Sequence, residues 1–117
     1  NIYNSFEKLV DSLNMKKWIY LYIFFELNLI KELGYDTNLS QNKSKNMNNN
    51  DLNKIKIDSY IYEVPNFLIL KKIPDKFTNI LIKKSLIFTR HVMQNKFFMP
   101  NNIIFPKSRV ILENYFN

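Results

Sequence analysis

The stretch YLYIFFELNLIKELGYD, Tyr20 to Asp36, decides the fold because it holds the only glycine of the 117 residues. Apolar side chains recur three and four residues apart here, which is typical of one face of an α-helix. This apolar stripe consists of Trp18, Leu21, Tyr22, Phe25, Leu29 and Leu33. Glycine adopts the positive φ that a helix stop needs without a Cβ clash. We therefore expect a helix that buries the stripe and ends at Gly34, with Tyr35 folded back over Ile30.

The rest of the chain predicts a mainly α, compact helical bundle. A first helix is expected over about Ser5 to Leu13, since Asn4 and Glu7 have the spacing of a capping box. A polar break over Asn14 to Lys17 should separate it from the helix that ends at Gly34. Short connections of this kind favour antiparallel neighbours.

Two later segments complete the predicted bundle. Pro74 indicates the start of a long helix that reaches about Asn95. Its buried face is expected to contain Phe77, Leu81, Ser85, Phe88 and Val92. Pro106 then opens a final short helix over Val110 to Phe116.

Residues 37–54 are typical of a flexible insertion. Asn38 to Asn53 consists mostly of Asn, Ser, Lys and Gln and offers little to bury, so we expect it to be disordered or a mobile loop. The β-prone residues that follow predict one or two short strands. They are Ile55, Ile57, Tyr60 and Tyr62.

Composition bounds the class of protein. At 46% hydrophobic residues the chain can build one core, and the absence of cysteine excludes disulfides and thiolate metal sites. The longest apolar run, Trp18 to Phe25, is far shorter than the roughly 20 residues of a membrane span. Because the chain begins at Asn1 without methionine, we expect a fragment of a longer protein.

The net charge of +7 is unevenly distributed. Residues 1–36 carry four lysines against five acidic residues, whereas residues 37–117 carry 13 lysines and arginines against five acidic residues. A basic balance favours nucleic acid or an acidic partner through long-range attraction. The alternative is a solubilising lysine surface that only reflects an A/T-rich genome.

Three segments follow one another as they do in a known family. They are FELNLIKELGYD (Phe25 to Asp36), VPNFLI (Val64 to Ile69) and FTRHVMQNKFFMPNNIIFPKSRVILENYF (Phe88 to Phe116). In order and spacing they resemble the C-terminal helical domain of RecO, a bacterial recombination mediator. The first is similar to a helix and its stop, the second to the apolar segment after a variable hairpin, and the third to the last long helix, its loop and the Ser-Arg terminal helix.

The resemblance implies a RecO-like helical domain over residues 1–117, without the family's N-terminal OB-fold in this fragment. It implies a non-catalytic DNA repair and recombination mediator that acts in the cytoplasm, associated with the nucleoid. The implied partners are single- and double-stranded DNA, RecR and the acidic C-terminal tail of single-strand-binding protein, and the implied task is to help load RecA. Some members carry four zinc-binding cysteines, which are absent here, so neither metal nor cofactor is expected.

Cations of the long helix and of the terminal PKSR turn are candidates for DNA contact. Lys76, Lys83 and Arg90 are seven residues apart, so they should align on one helix face and meet successive phosphates. The full set is Lys76, Lys83, Lys84, Arg90, Lys107 and Arg109. The alternatives are a solvated helix face and, for the last two, a helix cap with a structural salt bridge.

A groove for the acidic tail is expected beside the FEL triplet. The candidate residues are Lys17, Phe24, Phe25 and Leu29. In many relatives an arginine stands just before this triplet, where the present chain has Ile23 and Phe24. The resemblance therefore implies weakened tail binding, unless Lys16 or Lys17 replaces the missing cation.

The sequence contains no catalytic constellation, so we expect the protein not to be an enzyme. His91 is the only histidine, the acidic residues have no paired spacing, and one glycine cannot form a phosphate-binding loop. The main alternative is a structural helical protein-interaction domain without DNA binding. A membrane-surface protein would need a helix with a basic face and a wide apolar face.

Overall fold

The computed structural model describes residues 13–76 and 78–117, with side chains from Lys17 onward. Its helices are α1 (Leu13–Glu32), α2 (Asn66–Leu70), α3 (Asn79–Met93) and α4 (Lys107–Tyr115). Strands β1 (Leu52–Ile57) and β2 (Tyr60–Pro65) pair in an antiparallel hairpin, and Leu39–Asn42 forms a 3-10 turn. The described chain is therefore mainly helical with one small sheet. The helix predicted over about Ser5 to Leu13 lies outside the described residues, apart from Leu13.

The central element of the core is α3, which packs against α1, β2 and α4. The short α2 follows β2 and buries Phe67, Leu68 and Ile69 in the core. The fully buried side chains include Tyr20, Ile23, Ile30, Val64, Phe67, Leu68, Ile82 and Leu86. None of the helices within the described ranges has the length and apolar character of a membrane-spanning segment.

Four members of the apolar stripe of α1 face outward, and the prediction that they are buried is wrong; they are Leu21, Phe25, Leu29 and Leu33, whereas Trp18 and Tyr22 are half-buried against the core. Phe25 is 59% exposed and Leu33 54%, whereas the opposite face is buried. That buried face consists of Ile19, Tyr20, Ile23, Glu26 and Ile30. Glu26 interrupts its hydrophobic pattern, so the outward face carried the cleaner apolar periodicity. The break predicted over Asn14 to Lys17 is also wrong, because α1 runs through these residues.

The helix stop at Gly34 is confirmed. Gly34 has φ 100°, in the region that glycine adopts without strain. The Tyr35 N–H donates to the Ile30 carbonyl at 3.2 Å, and the Gly34 N–H donates to the Lys31 carbonyl at 3.0 Å. These two bonds are the Schellman pattern, so the chain turns sharply away from the α1 axis.

The segment over Asn38 to Asn53 follows a defined path, and the expected disorder is not shown. Leu39 is only 6% exposed and belongs to the core, while Met47 packs against it. The Asn66 side chain donates to the Asn48 carbonyl at 2.9 Å, and the Asn66 N–H donates to the Asp51 carbonyl at 2.8 Å. Two apolar anchors and a buried asparagine thus hold a segment whose composition predicts mobility.

The long helix begins later than predicted. Thr78 is extended, at φ −118° and ψ 141°, and α3 begins at Asn79 rather than near the buried Pro74. Lys76 therefore precedes the helix and does not align with Lys83 and Arg90 on one face. The predicted buried face is otherwise confirmed for its described members, which are Leu81, Ser85, Phe88 and Val92. Phe77 lies outside the described residues.

Candidate functional site

An open cleft of about 320 Å³ lies between the C-terminal half of α1, the loop after it and the end of α2. Leu39 and Leu68 are buried at the cleft, Phe24 and Leu27 are half-buried, and Lys31 is exposed. The remaining lining residues are Asn28, Tyr35, Asp36, Thr37, Ser40 and Lys71. The cleft thus joins an apolar floor to two cations, with Asp36 as its acidic member.

Three backbone turns shape this cleft. The stop at Gly34 sends the chain back towards α2, and Asn38 follows in the left-handed region at φ 55°. The Asp36 carboxylate accepts the Asn38 N–H at 2.8 Å, which fixes that turn. Lys71 ends α2 at φ 57°, and its N–H donates to the Phe67 carbonyl. The residue at this left-handed turn, Lys71, lines the cleft.

Of the predicted partner-binding residues, Phe24 alone lines the cleft. Its ring packs edge-on against Phe67 at 5.8 Å between centroids. Phe25 and Leu29 belong to the outward stripe, and Lys17 lies nearly two helical turns before Phe24. The cations of the cleft are Lys31 and Lys71, which are not among the candidates that the sequence predicts. Contacts distant in sequence bring them together, and no local motif marks them.

Arg109 is buried rather than presented to solvent. Its Nε donates to Glu26 at 2.6 Å, and its Nη2 donates to Glu26, to Thr89 Oγ1 and to the Leu86 carbonyl at 2.8–3.0 Å. Glu26 and Arg109 are both under 10% exposed. The structure therefore favours the salt-bridge alternative for Arg109, and Lys107 beside it is exposed.

Three further predicted DNA-binding cations make contacts within the fold. Arg90 forms two hydrogen bonds with Glu113, at 2.6 and 3.0 Å. Lys83 donates to the Glu113 carbonyl and to two asparagine side chains at the end of α4, and Lys84 pairs with Glu63 at 3.4 Å. Lys76 is exposed. The six cations therefore do not form one continuous surface.

The Tyr22 phenol lies beside the Glu26–Arg109 pair. Burial, followed by the negative charge of Glu26, raises its pKa to about 12. Burial likewise raises the pKa of Tyr20 to about 12. Both phenols are therefore neutral at physiological pH.

A second polar cluster lies where the β-hairpin turn meets the end of α3. Asp58 accepts from Lys96 at 2.5 Å and from the Tyr35 hydroxyl at 3.1 Å. The Lys96 hydrogen bond lowers the pKa of Asp58. The Tyr62 hydroxyl lies 2.8 Å from His91 Nδ1. Within the part of the chain that the structure describes, no group of acidic residues and histidines could hold a metal ion.

Comparison with known proteins adds no relative. No protein-family model, no curated protein and no solved structure matches this chain. The resemblance to RecO therefore stays a prediction from the three quoted sequence segments.

Proposed function

We propose that this chain is a non-catalytic binding domain of a DNA repair and recombination mediator resembling RecO. In this proposal the cleft binds an acidic peptide tail with an apolar end, as on single-strand-binding protein. The single observation that carries the proposal is the juxtaposition of Lys31 and Lys71 with the apolar floor at Leu27 and Leu68. Three sequence segments in the order of the RecO family give independent support.

The size and charge of the cleft favour a peptide end. A volume of about 320 Å³ is at the lower limit of ligand pockets, which suits one or two side chains. An apolar terminal side chain would lie on Phe24, Leu27 and Leu68, and the preceding carboxylates would pair with Lys31 and Lys71. Because both lysines are exposed, each ion pair contributes about 1 kcal/mol or less, and we expect weak, salt-sensitive binding.

DNA binding is assigned to a different surface. Lys54 and Lys56 are exposed on the outer face of the hairpin, where Lys56 stands opposite Ile61. Outside α1 and the cleft, the other exposed lysines that make no ion pair with a described residue are Lys43, Lys45, Lys72, Lys76 and Lys107. We propose that this surplus binds single- and double-stranded DNA through phosphates without reading sequence, near the nucleoid and together with RecR.

The main alternative is a protein-interaction domain that does not bind DNA. The observation that favours it is the engagement of Lys83, Lys84, Arg90 and Arg109 in contacts within the fold. Titration of a labelled oligonucleotide at several salt concentrations decides between the two. We expect binding that weakens steeply with salt, and reversal of Lys54 and Lys56 to Glu should lower the slope by about one unit per lost phosphate contact. Absence of binding at low salt selects the alternative.

The peptide proposal is tested by fluorescence anisotropy with a labelled acidic peptide that ends in an aromatic residue. We expect Lys31→Glu and Lys71→Glu each to weaken binding at least about fivefold, through loss of attraction and added repulsion. Lys45→Glu is the matched control, since it makes the same charge change on an exposed loop outside the cleft. Equal affinity for all three variants would refute the assignment of the cleft.

A further inference from the structure

The outward stripe of α1 is an apolar surface that the proposed function does not use. Its exposed members are Leu21, Phe25, Leu29 and Leu33, each between 38% and 59% exposed. They recur every four residues and span about 18 Å of the helix, at a rise of 1.5 Å per residue. Trp18 and Tyr22 stack at 5.5 Å between ring centroids, but both are half-buried against the core and do not extend this exposed surface. An apolar face of this length is typical of an interaction surface.

The charges that border the stripe indicate which partner it fits. Lys17 lies near one end and Glu32 near the other, both exposed and on the same edge of the helix. Neither forms an ion pair with another described residue. When two copies of α1 pair antiparallel about a two-fold axis, the same edge of each helix lies along the interface, and the N-terminal end of one helix meets the C-terminal end of the other. Lys17 of each copy then lies next to Glu32 of the other copy, which gives two identical contacts. A parallel two-fold pair places like ends together instead.

We infer that this stripe is a self-association surface, on which a second copy of the chain binds antiparallel, centred near Phe25. The apolar side chains supply the favourable burial, and the two Lys17–Glu32 contacts select the antiparallel orientation. One helix face on each copy buries less than the roughly 1,200 Å² of stable complexes, so the dimer should be weak. The surface is separate from the cleft, and either proposal can fail without the other.

Sedimentation velocity of the 117-residue chain over a wide range of concentration tests the inference. We expect a concentration-dependent monomer–dimer equilibrium. Lys17→Glu should weaken the dimer about tenfold at low salt, because two symmetric contacts change from attraction to repulsion. Glu32→Lys should weaken it similarly, and the double variant K17E/E32K should restore it. Lys45→Glu is the matched control for net charge and should leave the equilibrium unchanged.

Two results would overturn the inference. One is a monomer at every concentration, and the other is a dimer that the K17E/E32K exchange does not restore. The variant Phe25→Ser distinguishes binding of a second copy on the stripe from coverage of the stripe by other residues of the same chain. We expect this variant to lose the dimer while the denaturation midpoint of the monomer and its peptide binding stay unchanged. A large fall in that midpoint would show that residues of the same chain cover the stripe.

Discussion

Gly34 determines, through its backbone alone, where α1 ends and where the cleft begins. A Cβ built on it would have no atom within 4 Å, so only its φ of 100° resists substitution. We expect Gly34→Ala to cost about 1 kcal/mol of unfolding free energy, from the penalty of a positive φ. Denaturant unfolding measures the difference, with Ser40→Ala as an exposed control in the following loop. An unchanged midpoint would contradict the role given to this backbone conformation.

Two buried phenols make stability depend on alkaline pH. Tyr20 and Tyr22 have pKa values of about 12 in the fold, against 10.0 for a free phenol. Because the phenol pKa values are higher in the folded state, the unfolded chain releases these protons first as the pH rises. The resulting contribution to folding stability is fully present below pH 10 and is lost as the pH rises from about 10 to 12. Stability should therefore fall across this window.

Tyr22→Phe removes one of these two phenols. The variant should show one fewer phenol titrating near pH 12 by tyrosinate absorbance, and a shallower loss of stability above pH 10. Loss of a phenol that titrates near pH 10, with the titration near pH 12 unchanged, would contradict the high pKa assigned to Tyr22.

At the scale of elements, the Glu26–Arg109 ion pair joins three helices. Glu26 belongs to α1 and Arg109 to α4, and Thr89 of α3 donates to Glu26 at 2.7 Å. Removing one member of a buried pair leaves the other charge without compensation. We expect Glu26→Ala to cost about 3–5 kcal/mol, whereas Glu32→Ala on the exposed part of α1 should change stability by less than about 0.5 kcal/mol. Thermal or denaturant unfolding measures the stability of both variants. An equally small loss of stability in both would contradict the stabilising role of the Glu26–Arg109 pair.

The Glu26–Arg109 ion pair also explains why the sequence predicts some features of the helices and strands correctly but not the buried face of α1. The stop at Gly34, the two strands and the buried face of α3 follow from local rules for glycine, β-branched residues and helical spacing. The buried face of α1 does not, because Glu26 breaks its pattern and its partner Arg109 is 83 residues away. A periodicity analysis selects the cleaner apolar stripe, which here is the exposed one.

At the scale of the molecule, the cleft could not be predicted because its walls are distant in sequence. Phe24 was a candidate through its place beside the FEL triplet, but Leu39, Leu68 and Lys71 meet it only after the turn at Gly34 and the end of α2. The Asn-rich segment shows the same limit, since two apolar anchors among many polar residues hold it against the core. The composition of this segment gives its average polarity, and it does not show that Leu39 and Met47 pack against the core.

The distribution of charge is also a property of the whole molecule. Four of the six cations selected for DNA contact are engaged within the fold, so outside α1 and the cleft the positive charge left for a partner lies on the hairpin and the loops. This arrangement separates the proposed DNA surface from the cleft and from the outward stripe of α1. Variants of one surface should therefore leave the other two functions intact.

The central claim is that the cleft binds an acidic peptide whose terminal residue is apolar. The most direct measurement is a peptide titration of the isotope-labelled chain followed through backbone amide resonances. The claim predicts saturable shifts at Leu27, Lys31, Leu39, Leu68 and Lys71. Shifts confined to the outward stripe, at Leu21 and Leu33, or to the hairpin at Ile61, or no shifts at a saturating peptide concentration, would contradict it.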